Sequence, residues 1–372
     1  MRAAVLILAI LSLWAIAQAQ SGVRSSPSPT PRPEDQETVR VFTEEVRLTI
    51  AATDTYGHYD PSLTIDDVLV VENGEQQQIK SIQHLPTNVL LLLDVGNQLG
   101  LKNTNLTREA AVAVIARLFA GTRFEVMQFA MKPEIVKPWT TDKSGIELLL
   151  KRKLLSGKSS RLTDALAAAA DQFKETAPGT RHIVIISDGV DTPGGKVTMA
   201  NALKQLNSIQ ASVHVLSYTA MERLELQSKT KPVSGGDGVQ RDGQPGGNPV
   251  ANGDPTLPPG TTRNPSFKIG SINMDVAMRR KRKEYERATR DSEKQLTTIA
   301  EESGGRIFLP VNSSELMAQA DNVARDIGSQ YVLTYRPTRP LSQAKAGEYR
   351  TVEVAPRRVG LYLRSRKGYV VP

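Results

Sequence analysis

Cysteine is absent from all 372 residues, which excludes disulfides, thiolate nucleophiles, thiolate metal ligands and lipid attachment to a cysteine. Packed cores alone must hold such a chain together. Histidine is scarce as well: His58, His84, His182 and His214 are scattered, and the last two fall inside expected strands. No His-Glu-x-x-His spacing accompanies them, so nothing points to a histidine-bound metal. A Gly-x-Ser-x-Gly elbow is also missing, and "GKSS" at 157–160 has Arg152 where a phosphate loop needs glycine. Without a cluster of acid, base and nucleophile, the expectation is a protein that is not an enzyme.

Long apolar runs are lacking too. The longest, Ala3 to Ala17, follows Arg2 and leads into Ala17-Gln18-Ala19, a small-x-small cleavage pattern. A membrane anchor needs about 20 apolar residues, so residues 1–19 are expected to be a cleaved signal peptide, and the protein to be exported, periplasmic or extracellular. Residues 20–37 are Pro/Ser-rich and polar, a spacer. The formal net charge is +8, and its densest block is Arg279, Arg280, Lys281, Arg282 and Lys283. Export argues against nucleic acid as a partner. The block then reads as a solvated helix face, or as a contact for an anionic envelope surface.

What is present divides by period. Residues 38–86 alternate as strands with an Asn73-Gly74 hairpin turn, and residues 331–372 hold three more β-rich runs. Each end carries about half of a small sandwich, so the two are expected to pair into one discontinuous β-sandwich-like domain. Between them, over 87–330, strands at 89–94, 124–129, 182–186 and 213–218 alternate with helices at 107–120, 162–173 and 197–209. That spacing predicts an α/β, doubly wound and mostly parallel sheet with helices on both faces. Residues 222–270, rich in Gly, Pro and Asn, read as a disordered insertion, followed by a charged helix over 274–302.

Three stretches carry the candidate site. "NVLLLLDVGNQLG" ends an apolar strand in Asp94; "SGKSSRLTDAL" enters a helix; "HIVIISDGVDT" ends the next apolar strand in Ser187-Asp188-Gly189. Ligand sites of open parallel sheets lie at such strand ends. Together with "AEESGGRIFLPVNSSELMAQADNVARDI", these resemble the von Willebrand factor A-type domain, and more narrowly the bacterial exported proteins in which that domain sits between β-rich flanks.

The resemblance implies a metal-ion-dependent adhesion site, where Asp-x-Ser-x-Ser, a Thr and a later Asp surround Mg²⁺ or Mn²⁺ and leave one position for a partner's acidic group. Carried over, the first aspartate is Asp94, the serines fall on Gly96 and Gln98, the threonine on Ser160 and the last aspartate on Asp188. Ser160 keeps a hydroxyl; Gly96 and Gln98 do not. The expected metal set is therefore a degenerate one of Asp94, Gln98, Ser160 and Asp188, binding Mg²⁺ or Mn²⁺ weakly. Alternatively, Asp94 and Asp188 cap neighbouring backbone N–H groups. The implied function is an exported, non-enzymatic, adhesion- or scaffold-type module whose partner is another protein, with a structural envelope scaffold contacting through the basic helix as the rival.

Overall fold

A computed structural model describes residues 44–96, 104–174, 176–230 and 269–371. The expected signal peptide, the spacer, Gln98 and residues 231–268 lie outside the described residues. Three strands come first: β1 (Val46–Thr53), β2 (Val68–Glu72) and β3 (Glu75–Gln83). Asn73 and Gly74, both at positive φ, make the tight turn between the last two. Then follow β4 (Thr87–Asp94), α1 (Thr104–Arg117), β5 (Arg123–Phe129), β6 (Pro133–Thr140), α2 (Ile146–Lys153), α3 (Leu162–Gln172), β7 (Thr180–Ser187), α4 (Met199–Ile209) and β8 (Ser212–Ser217). Helices α5 (Thr219–Thr230) and α6 (Ile269–Glu302), the short β9 (Ile307–Phe308) and α7 (Ser313–Gly328) complete the middle of the chain. Strands β10 (Gln330–Arg336), β11 (Tyr349–Pro356), β12 (Tyr362–Ser365) and β13 (Gly368–Val370) end it.

The middle of the chain is an α/β layer. Its six strands run in the order β6-β5-β4-β7-β8-β9, parallel except for the edge strand β6. Strand β4 sits at the centre, and its leucine run explains why: both faces are covered. Val89, Leu91 and Leu93 pack with α1 and α7, whereas Leu90 and Leu92 pack with α3, α4 and the C-terminal part of α6. Each fully buried leucine contributes about 1.5–3 kcal/mol relative to exposure. A central strand with no polar face leaves only its end for function, and Asp94 is that end.

Both chain ends build the other layer, one antiparallel sheet in the order β12-β1-β10-β3-β2-β11-β13. Its two edge strands are joined by Arg366 and Lys367 alone. A flat sheet of this width would hold its edges roughly 29 Å apart, and a two-residue link reaches only about 10 Å. The sheet therefore curls on itself around Leu48, Ile50, Leu333, Tyr335 and Tyr369. Inside that core Arg350, fully buried, donates to Glu72 at 2.8 Å, and the hydroxyls of Tyr335 and Tyr369 donate to the other Glu72 oxygen.

A buried chain of charge joins the layers. Arg364 of β12 donates to both oxygens of Asp326 on α7 at 2.6 Å. His214 lies 3.0 Å from Asp326, close but poorly aligned for a hydrogen bond, and 3.3 Å from His182. Burial, and then the neighbouring His214, hold His182 neutral by pushing its pKa far down. The two histidines are core residues.

Two boundaries differ from the sequence reading. Residues 222–230 of the expected disordered insertion are helical, because α5 runs from Thr219 to Thr230 and buries Glu222 beneath α6. The charged helix begins at Ile269, not 274. Strand β6 and helix α2 had no sequence signal strong enough to separate them from a loop.

Candidate functional site

Asp94 closes β4 with its carboxylate buried. Oδ1 accepts from the Gly96 backbone N–H at 3.0 Å and from the Ser160 hydroxyl at 2.5 Å; Oδ2 accepts from the Ser187 hydroxyl at 2.6 Å. One carboxylate thus pins together the loops after β4, before α3 and at the end of β7. Ser187 in turn accepts from the Gly189 N–H at 2.8 Å, and the Ser160 carbonyl accepts from the Thr192 N–H at 2.7 Å. The structure brings Asp94 and Ser160 into direct contact and places Asp188 beside Ser187.

Glycine at position 96 has a local cause. Gly96 and Gly157 form a parallel bridge in which the Gly157 N–H donates to the Val95 carbonyl at 2.7 Å. A Cβ on Gly96 would overlap the Ser160 hydroxyl and lie 2.5 Å from the Ser159 carbonyl oxygen. The 157–160 loop fills the volume that a serine side chain would need.

Asp188 turns to a different set of partners. Its Oδ1 accepts from the Val190 N–H at 3.0 Å, while Oδ2 accepts from the Tyr285 hydroxyl on α6. The same hydroxyl lies 2.7 Å from Glu222 on α5, so one phenol proton serves two buried carboxylates. Burial first, then the charges of Asp188 and Glu222, push the Tyr285 phenol far above its ordinary pKa and keep it a donor. Tyr218 is raised in the same way, with Asp94 among the causes. Helix α6 is fastened alongside: Ser292 donates to the Asp188 carbonyl at 2.7 Å, and Leu296 lies where a Gly189 Cβ would stand. Glu293 accepts from Thr219 at 2.7 Å and from Arg223 at 2.5 Å.

The sequence pointed to Asp94, Ser160 and Asp188, and named Ser187 only as a strand end; it did not point to Tyr285, Glu222 or Ser292. A signal for α6 existed beneath its charge: Tyr285, Thr289, Ser292, Leu296, Ile299 and Ala300 recur at helical spacing and are all buried.

The described residues do not make the shell of a Mg²⁺-type site. Such an ion takes near-octahedral hard oxygens, whereas Gly96 supplies no side-chain oxygen and has no room for one. Asp188 spends an oxygen on Tyr285. No group of three His, Cys, Asp or Glu suited to a metal occurs among the described residues. Asp94 and Asp188 each accept from the N–H two residues on, a local turn and not a helix cap, since the helices that follow begin only at Thr104 and Met199.

Residues 88–232 match the sequence profile of the von Willebrand factor type A domain. No curated protein matches the chain. Solved structures similar to it include an aerotolerance-related membrane protein from Bacteroides fragilis, 17% identical over 65% of this chain and 98% of that one, with a TM-score of 0.38. Another is a von Willebrand factor type A protein from Catenulispora acidiphila, 10% identical over 88% of this chain and 75% of that one, with a TM-score of 0.41. A third is proximal thread matrix protein 1 from the mussel byssus with a zinc-occupied MIDAS motif, 13% identical over 36% and 39%, with a TM-score of 0.32.

Proposed function

We propose that this chain, which carries a von Willebrand factor type A domain, is an exported, non-enzymatic module that binds another protein through the loops at the C-terminal ends of β4 and β7. Residues 1–19 support export. Among the described residues no helix is long and apolar enough to cross a membrane. The observation that carries the reading is the convergence of Asp94, Ser160, Ser187 and Asp188 at the C-terminal end of the sheet's central strands, closed by Tyr285 of the chain's own helix. In this reading the metal site is vestigial. A hydroxyl from α6 serves where the resemblance would place an ion, and the partner meets loops already organised by hydrogen bonds.

The rival reading, an envelope scaffold that works through the basic helix, has one observation in its favour: Arg280 and Lys283 are exposed. Capture of an envelope protein by wild type, by Asp188→Asn and by the pair Arg280→Glu, Lys283→Glu separates the two. Loss with Asp188→Asn alone is the expected result. Loss with the charge pair alone would move the function to α6, and would leave the loops a structural role.

A further inference from the structure

We infer that the cavity between the two layers, at the opposite end of the α/β sheet from Asp94, is a binding site for a small organic oxyanion bearing carboxylate or phosphate. The cavity measures about 340 Å³ and is walled by Arg47 and Thr49 of β1 on one side and by Thr180 and Arg181 of β7 on the other. Both guanidinium groups are cationic at any physiological pH. Not one of the described residues lining it is acidic.

Among the described residues neither arginine is paired with a carboxylate. Arg181, half-buried, donates one N–H to the Ile209 carbonyl at 3.0 Å, which leaves the rest of its fork without a protein acceptor. Arg47 is exposed and forms no ion pair among the described residues; Glu45, just before the strand, is held by Lys80 at 2.8 Å. Burial lowers the pKa of Arg181, the signature of a cation short of compensating charge. Thr180, 4% exposed, and Gly179 close the wall between the two arginines.

Guanidinium forks match the planar oxygens of carboxylate and the tetrahedral oxygens of phosphate alike. The volume exceeds that of a bare ion, so the charged group arrives on a small carbon skeleton. Because Arg47 and Arg181 come from different layers, the ligand would bridge them and raise the stability of the whole unit. This site is independent of the loops that carry the proposed function.

The test is calorimetric titration of the full mature chain with citrate and, separately, with inorganic phosphate at constant ionic strength. Saturable binding of either is the expected result, and the preferred probe identifies the source of the oxygens. Arg47→Gln should weaken it about tenfold, as loss of roughly one charge-assisted hydrogen bond does. Arg181→Gln loses its bond to Ile209 and serves only as support. Absence of saturable heat for both probes up to about 10 mM, a limit of about 2.7 kcal/mol, overturns the inference. So does binding that Arg47→Gln leaves unchanged.

Discussion

Gly96 lies so close to Ser160 that a single added carbon would overlap the serine hydroxyl. The relationship decides how the missing serine at this position is to be understood. Its loss is compensated by the 157–160 loop, which closes onto the strand end and donates Ser160 to Asp94. Gly96→Ser should therefore destabilise the protein by about 1–3 kcal/mol, the usual cost of overpacking. Combining it with Gln98→Ser should yield no Mn²⁺-dependent rise in melting temperature. A melting point equal to wild type, with a rise on adding Mn²⁺, would show that the loops part readily and that the adhesion site can be rebuilt.

Tyr285 supplies the donor that two buried carboxylates share. Tyr285→Phe keeps the ring and removes that donor, so the loss should be about 1–3 kcal/mol, the penalty for unpaired buried acceptors. Because the contact fastens α6 to the sheet, amide exchange over residues 285–302 should accelerate more than over β4 or β7. Uniform acceleration across the whole unit would mean that α6 and the sheet open together, not separately.

Glu72 and Arg350 make the other buried pair, in the curled sheet. Glu72→Ala takes the shared acceptor from both tyrosine hydroxyls and leaves Arg350 with the Arg339 and Pro340 carbonyls and a 3.4 Å contact to Glu348, so urea denaturation should show a loss of about 1–3 kcal/mol. Replacing both charges, as in Glu72→Leu with Arg350→Met, should recover much of that loss, because the second buried charge then disappears with the first. A double variant as unstable as Glu72→Ala would assign the pair a packing role that apolar groups cannot fill.

Most of the α/β layer was legible because β4, β7 and β8 carry apolar runs and helices alternate with them, with the run Leu90 to Leu93 marking a strand covered on both faces; β6 and α2 were not. Asp94 and Asp188 were legible because each ends or follows an apolar strand, and Ser160 only through the resemblance to the von Willebrand factor A-type domain. Tyr285 was not, since it lies in a helix whose dominant feature is charge, and its partner is 97 residues distant in sequence. The insertion's first turns were misread because the charged segment "ERLELQSKT" gives no apolar stripe, and the buried Glu222 at its start is held by contacts that only the fold creates. Gly96 could be seen as a departure from a pattern, but its cause, the approach of Gly157, required the structure.

Glu125 provides a test with a defined sign. It is buried in β5, its carboxyl accepts from the Trp139 backbone N–H, and one of its oxygens has no partner. Burial pushes its pKa from 4.5 up to about 7. The folded state therefore holds a proton that the unfolded state gives up, and stability from this group is complete below pH 4.5, falls as pH rises and is gone once pH passes about 7. Glu125→Gln keeps the acceptor for Trp139 and removes the titration. Its stability relative to wild type should be nearly constant at acid pH, climb through the window between the two pKa values and level off above it, by roughly 3 kcal/mol in all. Taking the difference between the two proteins cancels the opposing acid-side contribution of Asp326, whose pKa is held low in both by its His214 and Arg364 partners despite burial. Guanidinium melts at a series of pH values measure the curve. A difference that stays flat from about pH 4 to about pH 9 would mean that water reaches Glu125 and that its burial does not govern its charge.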